Sequence, residues 1–98
     1  MDASVLERLQ NWYLSQCNND WEHQYGVKVD TLDNPGWTIR IDLAGTSLAE
    51  KDLPEHKESY EHEQNWFVCK KEKKQFVGNG GPKQLSAMIE YFLNWAGH

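Results

Sequence analysis

Two short runs that alternate apolar and polar residues flank Asp33-Asn34-Pro35-Gly36, and no other feature narrows the possible folds as far. In the first, Tyr25, Val27 and Val29 fall on one side, with Lys28 and Asp30 on the other. In the second, Trp37, Ile39, Ile41 and Leu43 share a side, with Thr38, Arg40 and Asp42 opposite. A period of two is the repeat of a strand with one buried face. Between the runs Pro35 sets its own backbone angle and Gly36 is expected to accept a left-handed one, so the pair reads as a hairpin. Charge suggests its register. Pairing positions that sum to 70 sets Lys28 against Asp42, Asp30 against Arg40 and Val29 against Ile41. A sum of 68 sets Lys28 against Arg40, a like-charge pair that costs stability. The first register is therefore expected.

Helical patterns close the chain at both ends. From Ser4 to Cys17, Val5, Leu6, Leu9, Trp12 and Tyr13 recur at the 3–4 spacing of one buried face. Ser4 and Glu7 have the spacing of a capping box, and Asn18-Asn19-Asp20 suits the turn that ends the helix. Leu85, Met88, Ile89, Phe92, Leu93 and Ala96 form a second stripe, with Pro82 suited to its first turn and Gly97 to its stop. Between the hairpin and this helix, Ala44 to Pro54 reads as a loop and His56 to Glu63 as an exposed edge strand. Trp66 to Lys70 and Gln75 to Val77 read as further strands, and Gly78-Asn79-Gly80-Gly81 as a break in the sheet. The expected fold class is α+β: an N-terminal helix, an antiparallel sheet of about five strands and a C-terminal helix, with the helices packed on one face of the sheet.

The 98 residues suit one domain, 1–98, and 39% hydrophobic with 12% aromatic content is too apolar for a disordered chain. The net charge of −5 is unevenly spread. Residues 1–66 carry 13 Asp/Glu against 5 Lys/Arg, whereas residues 67–98 carry two Glu against five Lys. An acidic body repels phosphate backbones, which disfavours nucleic acid, and attracts a basic protein partner. Cys17 and Cys69 stand apart with no paired spacing, and Met1-Asp2-Ala3-Ser4 does not resemble an export leader. No apolar run is long enough for a bilayer. A cytoplasmic chain with free thiols is expected, with no membrane partner.

Chemistry-bearing patterns are sparse. Asp20-Trp21-Glu22-His23 gathers two carboxylates and an imidazole, but on a strand Glu22 and His23 would point to opposite faces. His56, His62 and His98 make no metal-ligand spacing. Gly78 to Lys83 lacks the Lys-Ser/Thr ending of a nucleotide loop. Lys70, Lys71, Lys73 and Lys74 lie beside Trp66 and Phe67 and read as a solvated hairpin. No catalytic residue, metal or cofactor is expected, and the chain does not read as an enzyme. Trp12 and Trp37 fall on buried faces, which leaves Trp21, ringed by charge, as the best exposed anchor for a partner.

Leu9-Gln10-Asn11-Trp12-Tyr13-Leu14-Ser15-Gln16-Cys17, Asp20-Trp21-Glu22-His23, Tyr25-Gly26, Leu32-Asp33-Asn34-Pro35-Gly36-Trp37 and Ile41-Asp42-Leu43 closely resemble the immunity protein 53 family of bacterial polymorphic toxin systems. Gly78 to Lys83 and the C-terminal helix also fit that family. The resemblance implies a small cytoplasmic antidote, encoded beside a secreted toxin, that binds the toxin domain and blocks it. It carries over no catalytic residue. Joined to the acidic body, it makes Asp20, Trp21, Glu22, Asp30, Asp33 and Asp42 the expected contacts to a basic toxin surface, such as a nuclease's substrate groove. The alternative is a small ligand-binding domain or enzyme that uses the aromatic cluster and Asp20–His23. That reading requires a concave pocket with converging polar groups.

Overall fold

The computed structural model describes residues 3–58 and 65–98. Helix α1 (Ala3–Gln16) leads through a single helical turn, α2 (Trp21–Gln24), into the hairpin β1 (Val27–Leu32) and β2 (Gly36–Asp42). A loop then reaches β3 (His56–Glu58), followed by the hairpin β4 (Phe67–Glu72) and β5 (Gln75–Gly80), and α3 (Leu85–Ala96) closes the chain. The remainder of the run expected to form an edge strand, residues 59–64, lies outside the described residues, as does the Ser4 side chain of the capping box.

The strand order is β1-β2-β5-β4-β3, with every neighbouring pair antiparallel. The α+β class is as the two periodicities require. Helix α3 lies across β2, β5 and β4, and α1 packs beside it. Ile39, Ile41, Phe67, Cys69 and Phe76 from the strands meet Trp12, Met88, Ile89, Phe92 and Leu93 from the helices in one buried cluster. Edge-on aromatic pairs run through it: Trp12 meets Phe92 at 5.0 Å and 90°, and Phe76 meets Phe92 at 5.0 Å and 63°. Each pair adds about 0.5–1.5 kcal/mol beyond the area it buries. At the end of α3, Gly97 takes φ 80°. Its N–H donates to Asn94 O, and that of His98 to Leu93 O, which satisfies the last carbonyls.

The hairpin register is the one that charge argued against. Lys28 stands opposite Arg40, Val27 opposite Ile41 and Val29 opposite Ile39. Both registers keep the same faces buried, so hydrophobic patterning cannot choose between them. The choice falls to backbone and turn. Asp42 N–H donates to Gly26 O, and the Asp42 carboxylate accepts from Gly26 N–H at 3.0 Å and from Gln75 Nε2 at 2.8 Å. These bonds hold the start of β1 in place, against exposed charge pairs worth only about 0.2–1 kcal/mol each. Arg40 turns instead to Gln75 Oε1, at 3.3 Å.

The glycines also differ from expectation. Gly36 is not left-handed; it opens β2 where a Cβ would stand 2.3 Å from Gly80 O. Gly78 and Gly80 do not break the sheet but belong to β5. A Cβ on Gly78 would lie 3.0 Å from Ile39 Cγ2 and 3.1 Å from Met88 Sδ, so the bare strand lets α3 approach closely. Pro82 lies in the turn before α3, not inside it, and its carbonyl accepts the Trp37 indole N–H at 2.9 Å.

Candidate functional site

The strand register divides the charged side chains between two surfaces. Odd positions of β1, β2 and β4 and even positions of β5 face the helices, as the approach of Met88 to Gly78 and Gly80 shows. The complementary positions face away, and no helix lies on that side among the described residues. Three rows cross this open face. Asp42, Gln75 and Glu72 form one; Lys28, Arg40, Val77 and Lys70 the next; Asp30, Thr38, Asn79, Val68 and Lys57 the third.

The middle row is a band of cations on a predominantly acidic chain. Val77 is only 1% exposed although it faces away from the helices. It lies between Arg40 and Lys70, whose aliphatic stems can cover it while their charges stay in water. Lys70 Nζ lies 3.1 Å from Glu72 Oε2, and this contact holds the Glu72 carboxyl below its usual range. The lysines of the expected solvated hairpin thus divide between the two faces of the sheet. Lys71 points to the helix side, where its Nζ donates to Ala49 O at 2.6 Å and Lys51 O at 2.8 Å and ties down the loop after β2.

The six expected contacts do not converge. Asp30 and Asp42 lie on the open face, Asp33 at the hairpin tip, and Asp20 and Glu22 at α2 beyond the other end of β1. A six-residue strand separates those ends by roughly 20 Å. Glu22 accepts from the Asn18 and Asn19 amides at 2.8 and 2.7 Å, and Asp42 is held by Gly26 and Gln75. Hydrogen bonds from its own N–H and that of Asn18 keep the Glu22 carboxyl below its ordinary value. Trp21 is not the exposed anchor that its charged neighbours suggested. It is 4% exposed, packs edge-on against Trp12 at 5.9 Å, and donates from Nε1 to Ala44 O at 2.9 Å. Trp37, expected in the core, packs against it only partly buried.

Asp20–His23 forms a helical turn whose carboxylates are occupied by local bonds. No group of three potential metal ligands occurs among the described residues. A cleft of about 940 Å³ lies between α3 and β3–β4, where His56 stacks on Tyr91 at 4.5 Å, but none of the six expected residues lines it. Among the described residues no helix is long and apolar enough to cross a membrane.

The family model for immunity protein 53 matches residues 6–97, nearly the whole chain. The chain belongs to the immunity protein 53 family. No curated protein and no solved structure matches it. In this member of the immunity protein 53 family, one face of the sheet carries no helix among the described residues. The basic row of that face is what reading along the chain missed. Lys28, Arg40 and Lys70 come from three strands, and only the order β1-β2-β5-β4 aligns them.

Proposed function

We propose that the chain is an immunity protein that binds a cognate secreted bacterial toxin domain in the cytoplasm and neutralises it by stoichiometric protein–protein inhibition. The family match across residues 6–97 carries this reading. A stoichiometric inhibitor needs shape and charge rather than a catalytic constellation, which suits the surfaces described above. The excess of acid over residues 1–66 favours a basic toxin surface, such as the substrate groove of a nuclease. Asp20, Asp30 and Asp33 are exposed and suited to direct contact. Glu22, Asp42 and the buried Trp21 support that surface by holding α2 and the start of the hairpin.

Co-expression with the toxin domain encoded beside it tests the reading. Growth is restored and the two chains co-purify at 1:1; failure of both removes the proposal. Association slows markedly as salt is raised, and Asp20→Asn with Asp33→Asn slows it further at low salt. Salt-independent association would remove the electrostatic part while leaving the inhibitor role intact.

A further inference from the structure

Strand β1 forms one edge of the sheet, and that edge is chemically matched to a copy of itself. Asp42 N–H donates to Gly26 O, so Lys28 and Asp30 also exchange backbone bonds with β2. Val27, Val29 and Thr31 therefore turn their N–H and C=O groups outward. Their side chains lie on the helix side, where Val29 is 44% exposed. Charged side chains usually shield an edge of this kind, and Asp30 Oδ1 already accepts the Thr31 N–H at 2.8 Å.

Here the charges select a partner strand rather than forbid one. For the outward groups to bond, Val27, Val29 and Thr31 must face the same set on an antiparallel copy. Centred on Val29, that pairing sets Lys28 of each chain against Asp30 of the other. Sliding by one pleat in either direction sets Lys28 against Lys28 or Asp30 against Asp30. Only the centred register joins opposite charges, twice over by symmetry. It also resolves a conflict inside the chain. Lys28 lies opposite Arg40 and has no ion-pair partner among the described residues, so a carboxylate beyond the edge relieves it.

The apolar surface points the same way. A groove of about 360 Å³ between α1 and the start of β1 is lined by Leu9, Gln10, Tyr13, Gly26 and Val27. Leu6, Tyr13 and Val29 are among the exposed large apolar residues. A two-fold axis normal to the sheet keeps both copies of α1 on one side of the join.

We propose that two copies pair antiparallel through β1, centred on Val29, to form a dimer with one continuous sheet. This rests on the edge chemistry and the apolar surface beside it, not on the toxin reading, although the dimer covers Asp30, which that reading gives to the toxin. A strand-edge contact falls below the roughly 1,200 Å² of a stable interface, so the dimer is reversible and concentration-dependent.

Sedimentation equilibrium of the full chain, from micromolar to millimolar concentration, tests it. The wild type shows a monomer–dimer equilibrium. Lys28→Asp and Asp30→Lys each weaken self-association by at least about tenfold, because each sets like charges together. Mixing the two single variants restores dimers, and the double variant K28D/D30K dimerises like the wild type. Circular dichroism of each variant verifies the fold. A wild type that stays monomeric, or single variants that dimerise normally, would overturn the proposal. Loss of toxin binding in the single variants of a monomeric wild type would assign the edge to the toxin instead, and also overturn it.

Discussion

The Trp21 indole N–H donates to the Ala44 carbonyl at 2.9 Å, across the junction where β2 leaves the sheet. This bond joins α2 to the loop after β2, and the ring joins both to α1 through Trp12. The residue marked by its sequence neighbours as an interface anchor is thus a fastener inside the protein.

Trp21→Phe keeps most of the ring packing and loses the bond, so it costs about 1 kcal/mol. Trp21→Ala also opens a cavity and costs about 3–5 kcal/mol. Urea unfolding followed by circular dichroism separates the two, with a lower midpoint and an unchanged slope in each. Equal losses would show that the bond contributes nothing.

Gly78→Ala places a Cβ against Ile39 Cγ2 and Met88 Sδ and lowers stability by about 1–3 kcal/mol through overpacking. A stabilised Gly78→Ala, measured by the same unfolding experiment, would show that α3 shifts away freely.

Lys71→Met removes the ammonium that holds the Ala49 and Lys51 carbonyls. A loss of about 1–3 kcal/mol is expected, together with faster amide exchange in residues 46–51. Unchanged exchange there would mean that the loop is held by Leu48, which is buried, rather than by the lysine.

Burial pushes the Cys69 thiol up to about 12, whereas Cys17 is partly exposed. At mildly alkaline pH, Ellman's reagent therefore titrates Cys17 in the native protein and reaches Cys69 only in denaturant. Two thiols of equal native reactivity would contradict the packing of β4 against α3.

The depressed Glu22 carboxyl sets an acid limit on the Asn18–Asn19 turn. A folded value below the unfolded one contributes stability above the ordinary carboxylate range and loses it as pH falls through the folded value. Nuclear magnetic resonance should show the Asn18 and Asn19 amide signals moving with Glu22 titration, and Glu22→Gln should abolish that movement. Amides that ignore pH in the wild type would remove the carboxylate from the turn.

Much of the architecture was legible along the chain because it depends on near neighbours. The stripe from Leu85 to Ala96 marks α3, and Trp37-Thr38-Ile39-Arg40-Ile41 marks β2, since each pattern declares its own buried face. The misplaced features depend on distant residues. Gly78 and Gly80 read as punctuation until Met88 and Phe67 are placed beside them. Trp21 reads as exposed until Trp12 and Ala44 cover it.

Local periodicity by itself determined the α+β class, both long helices and the first hairpin, and the motifs around Trp12, Trp21 and Trp37 pointed to the family. Tertiary structure alone decided the hairpin register, the burial of Trp21 and the alignment of Lys28, Arg40 and Lys70 across the open face. Alternation names the face a residue occupies but not its partner across the strand. Cross-strand partners are chosen by backbone bonds and the turn, and by glycine clearances against strands further along the chain.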